Sequence, residues 1–189
     1  TLEIIQENNI SPLPFQITLY QAVTKGKAMD FIVQKASELG AYRVVPVLSE
    51  RSVPDWDDAK TAAKVEKWRS ICIESIKQCG SAWLPRLELP MTPKAALDDA
   101  RQSDLSLIAT LQPDAKHPRE QIDAHAAEYG QAPEKLAIWV GPEGDYTPAE
   151  INTIRTVAQP ISLGPLVLRS ETAAIYCLAV LNYELQARQ

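Results

Sequence analysis

Hydrophobic and polar positions along the chain follow two periods in turn, one typical of strands and the other of helices. Phe15 to Ala22 alternates at every second residue and predicts a strand. Ala28 to Leu39 carries apolar residues at every third or fourth position and predicts a helix that Gly40 ends. Tyr42 to Leu48 predicts the next strand, in which Pro46 favours an edge position or a bulge because proline lacks the N–H.

The rest of the chain continues this alternation. The pattern predicts helices over Asp57–Gln78, Thr92–Ala100, Arg119–Tyr129, Thr147–Ala158 and Glu171–Gln186, and strands over Arg86–Leu89, Leu105–Leu111, Leu136–Val140 and Pro160–Gly164. Strands and helices in alternation predict an α/β domain with a mainly parallel sheet flanked by helices. Because the last helix is apolar on nearly all sides, we expect the sheet and a second subunit, in a homodimer, to cover it.

One predicted unit consists of a strand, a glycine loop and a helix. The strand Leu136–Val140 stops at the loop Gly141–Tyr146. Thr147 can cap the helix that follows, Pro148 suits its first position, and Glu150 completes a capping box. This unit places backbone N–H groups and the positive end of a helix at the carboxyl edge of the sheet, where open α/β folds bind ligands.

The residues of this loop restrict the ligand. Pro142 removes one donor, and Glu143 and Asp145 put negative charge where phosphate oxygens would lie. The loop is not a Walker A motif, because no Gly-Lys-Ser/Thr follows it. A dinucleotide-binding site is also disfavoured, because the next strand ends without the carboxylate that would bind a ribose. A neutral or cationic ligand with amide-like edges remains, although the glycines could simply form a tight turn. A second glycine-proline pair, Gly164-Pro165, favours two loops that line one pocket.

Composition limits the classes of protein. The 189 residues suffice for one well-buried domain, and no apolar run is long enough to cross a bilayer. The three cysteines form neither a disulfide framework nor a metal motif, which is typical of a reduced, cytoplasmic protein. A net charge of −5 gives no overall basic surface, so contact with nucleic acid would need a local patch, a partner or a further segment.

Arg51 and the two histidines are further candidates for a functional role. Arg51 directly follows a predicted strand and could bind an anion, although a solvated loop arginine is the commoner case. The two histidines, His117 and His125, have no carboxylate or cysteine at ligand spacing. We therefore expect both to be surface residues and predict no metal site.

Several motifs resemble those of a known family. They are Lys25–Asp30, Gln34–Gly40, Ser49–Ser52, Glu74 with Gln78–Gly80, Gly141–Gly144, and Ser162–Pro165 followed by Leu168–Ala173. In this order and over nearly the whole chain they resemble the RsmE-like 16S ribosomal RNA uridine-N3 methyltransferases of the SPOUT superfamily. Two positions depart from the family pattern: Ser81 stands where many relatives have arginine, and Leu166 where a basic residue is frequent.

The resemblance implies a fold and a domain arrangement. It implies a SPOUT-type, mainly parallel sheet flanked by helices, with a deep trefoil knot at the C-terminal end, an exception to the rule that chains do not thread loops. Residues 14–189 would form the methyltransferase domain. Residues 1–13 would be the remnant of an N-terminal PUA-like RNA-binding domain plus a linker. The family also forms homodimers.

The resemblance further implies a cofactor, a substrate and a site. The cofactor would be S-adenosyl-L-methionine, and the substrate a uridine of 16S ribosomal RNA within the small ribosomal subunit, with no metal and no membrane. The cofactor-binding residues would be Thr110, Leu111, Val140, Gly141, Pro142, Glu143, Gly144, Leu163, Gly164, Leu168, Arg169, Thr172 and Ala173. Arg169 would stabilise negative charge on the uracil, and Glu171 or Glu143 would accept its N3 proton.

Two other classes of function stay open at this point. One is a nucleotide-dependent oxidoreductase on a conventional doubly wound sheet. The other is a non-catalytic nucleotide-binding module.

Overall fold

The computed structural model describes residues 10–52 and 56–188. The strands are β1 (Gln16–Ala22), β2 (Arg43–Val47), β3 (Arg86–Leu87), β4 (Leu105–Ala109), β5 (Lys135–Val140) and β6 (Gln159–Ile161). The helices are α1 (Ala28–Glu38), α2 (Asp58–Cys79), α3 (Pro93–Ala100), α4 (Pro118–Tyr129), α5 (Pro148–Ile154) and α6 (Ser170–Gln186).

The strands form one six-stranded sheet in the order β3-β2-β1-β5-β4-β6. Every strand pair is parallel, and at the centre of the sheet Tyr20 is paired with Val45 on one side and Trp139 on the other. The predicted mainly parallel sheet flanked by helices is confirmed. The trefoil knot stays a prediction, as does the domain boundary near residue 13, since residues 1–9 lie outside the described residues.

Helices cover both faces of the sheet, so the central strands β1, β4 and β5 are buried on two sides. In β1, Ile17 and Leu19 point to the core shared with α1, α2, α4 and α6. Tyr20 and Ala22 point to the opposite core, shared with α3 and α5. The alternation of apolar side chains along a strand explains why one short segment contributes to both cores.

Four predicted elements end two or more residues earlier than expected. The strands predicted to reach Leu89 and Gly164 end at Leu87 and Ile161. The helix predicted to reach Ala158 ends at Ile154, where the chain tightens into turns: Thr156 N donates to the Thr153 carbonyl and Val157 N to the Ile154 carbonyl, each three residues back. The strand predicted to reach Leu111 ends at Ala109. This early end leaves the next two residues in a loop at the carboxyl edge of the sheet.

The edge position predicted for Pro46 is wrong. Its strand, β2, lies between β1 and β3. The interior position is possible because β3 pairs with β2 only at Arg43 and Val44. Beyond that pairing, the Pro46 carbonyl accepts a hydrogen bond from Met91 N at 2.9 Å, and no strand of the described sheet needs the N–H that proline lacks.

The apolar last helix is covered on part of its circumference. Cys177, Leu178 and Leu181 are buried in the core. Tyr176 and Tyr183 keep exposed fractions of 43% and 70%, so an apolar part of α6 lies on the surface. Within the described ranges, no helix is both long and apolar enough to cross a membrane.

A polar network joins β1, β2 and α3 beneath the second core. The Tyr20 hydroxyl donates to Asp99 Oδ2 at 2.6 Å, and the Arg43 guanidinium donates to both carboxylate oxygens of Asp99. The Tyr20 ring stacks on Trp139 with centroids 4.4 Å apart. Burial, followed by the hydrogen bond to Asp99, raises the pKa of Tyr20, so this phenol stays protonated and serves as a donor.

Replacing Asp99 with Ala should lower the free energy of unfolding by about 1–3 kcal/mol, because it leaves the Tyr20 hydroxyl and the Arg43 guanidinium without their acceptor. Urea unfolding measures this loss. Asp98→Ala is the matched control, since the side chain of Asp98 is 92% exposed, and it should change stability by less than about 0.5 kcal/mol. Equal effects of the two substitutions would show that the network contributes nothing.

Candidate functional site

A cavity of about 290 Å³ lies at the carboxyl edge of the sheet, where the segments after β4, β5 and β6 meet. We call it the loop cavity. Its lining residues are Ala109, Thr110, Leu111, Val140, Gly141, Pro142, Glu143, Gly144, Asp145, Leu163, Gly164, Leu166, Val167, Leu168, Ser170 and Ala173. Both glycine-proline bends therefore contribute to the wall of one cavity.

Steric restriction at Gly141 fixes the loop after β5. A Cβ atom added there would lie 2.8 Å from Asp145 Oδ1 and 3.2 Å from the Tyr146 backbone N, so any larger residue would force the loop to shift. The loop then turns back, with Asp145 N donating to the Pro142 carbonyl at 2.9 Å. Asp145 adopts a positive φ of 61°, which aspartate tolerates better than most residues.

Tyr146 anchors the same loop to the end of its strand. Its hydroxyl donates to the Val140 carbonyl at 3.2 Å, and its backbone N–H donates to Asp145 Oδ1 at 2.7 Å. Burial raises the pKa of Asp145 above its ordinary value, although the Tyr146 N–H and the charge of Arg51 oppose this shift. The loop therefore holds a partly buried carboxylate at the wall of the loop cavity.

The segment Ser49–Ser52, which follows β2, braces this loop across the end of β1. Arg51 is exposed to solvent, as expected for a loop arginine, and its guanidinium also donates to the Gly144 carbonyl. Glu50 N donates to Glu150 Oε1 at 2.9 Å. The other Glu150 oxygen accepts from Thr147 N at 2.8 Å, which confirms the predicted capping box. Glu150 therefore fastens α5 to the loop after β2.

The second wall of the loop cavity is the segment between β6 and α6. Gly164 has a φ of 104°, a conformation that glycine adopts at no steric cost. Leu166 and Val167 are 73% and 78% exposed, so their side chains form an apolar rim. The Ser170 hydroxyl donates to the Gly141 carbonyl at 2.6 Å and joins this segment to the first wall.

One hydroxyl in the wall has no partner. Thr110 is 7% exposed, and its Oγ1 is buried without any hydrogen bond within the described part of the chain. A buried hydroxyl without a partner costs free energy that a ligand atom can recover. Thr110 is therefore the side chain best placed to recognise a polar edge of a ligand.

The sequence-predicted site residues cluster around this cavity. All predicted cofactor-binding residues line it except Arg169 and Thr172. Arg169 is the N-cap residue of α6, and its carbonyl accepts from Ala173 N at 2.8 Å. The side chains of Arg169 and Glu171 form no hydrogen bond or ion pair with any described residue, so Arg169 does not pair with Glu171. Both flank the buried Ser170.

Sequence reasoning missed five lining residues, namely Ala109, Asp145, Leu166, Val167 and Ser170. All five lie beside or within the stretches that carried the prediction. Their positions between the predicted residues were the available signal. Which of them face the cavity depends on the loop conformation.

The two histidines differ in exposure. His117 is exposed and caps α4, with its Nδ1 accepting from Arg119 N at 3.2 Å. His125 was expected on the surface but is only 9% exposed, and its ring centroid lies 4.6 Å from that of Tyr129. Among the residues described, no group of three or more His, Cys, Asp or Glu side chains could hold a metal ion.

Fold and cavity together define the class: an α/β domain with a cavity at the carboxyl edge of a parallel sheet, lined mainly by loop backbone and apolar side chains. Residues 11–182 match the model of one family, the RNA methyltransferase domain. The chain belongs to this family, which confirms the resemblance drawn from the motifs.

Individual relatives agree with this assignment. The chain is 30% identical over 180 residues to ribosomal RNA small subunit methyltransferase E of Bacillus subtilis, covering 94% of this chain and 69% of the relative. A putative methyltransferase from Legionella pneumophila, solved with bound SAM, superposes with a TM-score of 0.81 at 35% identity, over 90% of this chain and 66% of that one.

A second solved structure is the ribosomal RNA small subunit methyltransferase E of Neisseria gonorrhoeae bound to S-adenosyl methionine. It superposes with a TM-score of 0.76 at 28% identity, over 90% of this chain and 66% of that one. The chain thus spans about two thirds of the length of these proteins.

Gly141→Ala should destabilise the fold by about 1–3 kcal/mol, because the new methyl group collides with the backbone and carboxylate of the loop. Gly144→Ala is its control, since an added Cβ there meets only Arg51 Cδ at 3.6 Å, an ordinary contact. Urea unfolding of both variants measures the difference. A Gly141→Ala protein as stable as the Gly144→Ala protein would contradict the steric argument.

Proposed function

We propose that this chain is the methyltransferase part of an S-adenosyl-L-methionine-dependent enzyme that methylates N3 of a uridine in 16S ribosomal RNA. The observation that carries the proposal is the convergence of three loops, after β4, β5 and β6, on one cavity. The solved relative from Neisseria gonorrhoeae, with the same fold, is bound to S-adenosyl methionine.

The residues around the loop cavity suit this cofactor. Thr110 Oγ1 offers an unused hydrogen bond, and Gly141 and Gly144 add no side chain of their own to the wall, so a ligand can approach their backbone. Leu163 and Leu168 supply apolar surface for an adenosine. The carboxylates of Glu143 and Asp145 suit a cationic ligand and disfavour a polyphosphate.

Arg169 is placed to act on the substrate. When bound, S-adenosyl-L-methionine supplies an electrophilic methyl group. Arg169 stands at the start of α6 beside the cavity residue Ser170, and its guanidinium has no ion-pair partner among the residues described. Its positive charge would stabilise the negative charge that develops on the uracil oxygens as N3 loses its proton.

A carboxylate completes the site as the proton acceptor. Glu171 lies next to Arg169 in the first turn of α6, and Glu143 lies in the cavity wall. Glu143 Oε1 already accepts a long hydrogen bond of 3.4 Å from Lys25 N, whereas Glu171 accepts none from a described residue. Glu171 is therefore our first choice for the base that takes the N3 proton.

The assembly that we propose is a cytoplasmic homodimer that acts on the small ribosomal subunit. The apolar part of α6 that carries Tyr176 and Tyr183 is the surface available for a second copy. The net charge of −5 makes a bare electrostatic attraction to RNA weak, so recognition depends on local cationic sites.

Calorimetric titration separates the proposed cofactor from a dinucleotide. S-adenosylhomocysteine should bind with one site per chain, whereas NAD should give no saturable heat, because the loop offers carboxylates where the pyrophosphate would lie. Saturable binding of NAD alone would support an oxidoreductase and sink the proposal. Mass analysis of small-subunit RNA after incubation with labelled methyl donor then identifies the methylated base.

Arg169→Ala should lower kcat by about 100-fold or more, since it removes a charge that acts only as the transition state forms. Affinity for S-adenosylhomocysteine should stay unchanged, because Arg169 does not line the loop cavity. Arg101→Ala is the control, because Arg101 is also exposed and lies just beyond the end of α3, outside the loop cavity. Undiminished turnover in the Arg169 variant would refute its role.

A further inference from the structure

A second cavity of about 280 Å³ lies at the carboxyl end of β1, outside the cofactor site proposed above. We call it the tryptophan cavity, and its residues of interest are Thr24, Lys25, Asp30, Trp56, Lys64 and Trp68. Thr24 and Lys25 lie in the loop after β1, Asp30 in α1, and Lys64 and Trp68 in α2, whereas Trp56 lies two residues before the start of α2. None of them was assigned a function from the sequence.

The tryptophan cavity adjoins the loop cavity. Lys25, in its wall, donates its backbone N–H to Glu143, which lines the loop cavity. Ser52, also in its wall, ends the segment whose Arg51 donates to Gly144. The two cavities therefore lie side by side along one edge of the sheet, separated by a layer of residues that includes Lys25 and Glu143.

A buried hydroxyl in the tryptophan cavity lacks a partner. Thr24 is 6% exposed, and its Oγ1 forms no hydrogen bond within the described ranges. Thr110 Oγ1 shows the same property in the loop cavity. Each cavity thus holds one unused hydroxyl, and a ligand that fills the cavity recovers the cost of its burial.

Aromatic and cationic groups dominate the rest of the tryptophan cavity. The rings of Trp56 and Trp68 have centroids 5.9 Å apart, and Lys64 Nζ lies 5.8 Å from the centroid of Trp56. The only acid among the residues of interest, Asp30, accepts from Trp68 Nε1 at 3.0 Å and pairs with Lys67. Since Lys25 forms no ion pair with a described residue, the cavity is locally cationic in an acidic chain.

We propose that the tryptophan cavity binds the nucleotide next to the reacting uridine in single-stranded RNA, an inference that rests on the proposed function. The base packs against Trp56, the Thr24 hydroxyl contacts its polar edge, and Lys25 and Lys64 hold its phosphate. Unstacked bases on aromatic side chains, with basic residues along the backbone, are the usual means of binding single-stranded RNA. The layer between the cavities separates this nucleotide from the one that is methylated.

The test uses two matched substitutions on this chain, Thr24→Val and Thr110→Val. Each keeps the shape of the side chain and removes an unpaired buried hydroxyl, so neither should lower stability. With saturating S-adenosylhomocysteine, Thr24→Val should raise the Kd for a short single-stranded RNA with a central uridine by about threefold to tenfold. Thr110→Val should instead raise the Kd for S-adenosylhomocysteine.

A salt titration tests the phosphate contact. Lys64→Ala should weaken RNA binding. It should also reduce the slope of log Kd against log salt by about 1, which is the contribution of one phosphate contact. Lys94→Ala is the control, since Lys94 is an exposed lysine of α3 that lines neither cavity. Wild-type RNA affinity in both Thr24→Val and Lys64→Ala, or no RNA binding by the unaltered chain, would overturn the inference.

The same measurements distinguish this inference from the proposed function. A chain that binds RNA through Thr24 and Lys64 but takes no S-adenosylhomocysteine would support the nucleotide site and contradict the proposed cofactor. A chain that binds the cofactor and methylates RNA, with Thr24→Val indistinguishable from wild type in RNA Kd and in KM, would support the function and contradict the nucleotide site.

Discussion

The hydrogen bonds of Ser170 are the constraint on which the site depends. Its hydroxyl donates to the Gly141 carbonyl at 2.6 Å and accepts from Gln21 Nε2 at 3.0 Å. Three distant parts of the chain meet there: the end of β1, the loop after β5 and the first turn of α6. Because Ser170 and Gln21 are both almost completely buried, water cannot replace these bonds, and the two walls of the loop cavity keep their separation.

A parallel sheet explains why so much of the site lies at one edge. Every strand ends at the same side, so the loops after β1, β2, β4, β5 and β6 are neighbours although they are far apart along the chain. The bracing bonds run across this edge, from Arg51 to Gly144 and from Glu50 to Glu150. The rigid sheet thus positions the loops, and the loops carry the chemistry.

Charge is divided between the two halves of this edge. Glu143 and Asp145 line the loop cavity, whereas Lys25 and Lys64 line the tryptophan cavity. The proposed cationic cofactor would therefore lie beside carboxylates, and the proposed RNA backbone beside lysines in the adjoining cavity. This arrangement reconciles an acidic chain with an RNA substrate, since a few local lysines can provide what the net charge of −5 does not.

Local signals in the sequence were sufficient for the elements and for much of the loop cavity. The capping box of Thr147 and Glu150, the turn at Gly141 and the alternation in β1 depend on neighbours in the chain, so they could be predicted from it. Three features could not be predicted in this way: the interior position of Pro46 in the sheet, the burial of His125, and the hydrogen bond from Arg51 to Gly144. Each of them depends on which distant segments meet in the fold.

The sequence by itself determined the family, the parallel α/β architecture and most of the residues that line the loop cavity. Only the tertiary structure decided that Ser170 joins the walls, that Arg169 stands outside the cavity and that Thr24, Trp56 and Lys64 line a second one. The physical reason is that motifs and periodicity report contacts within a few residues. Contacts across the sheet edge depend on how strands far apart in the chain are ordered, and no local pattern encodes that order.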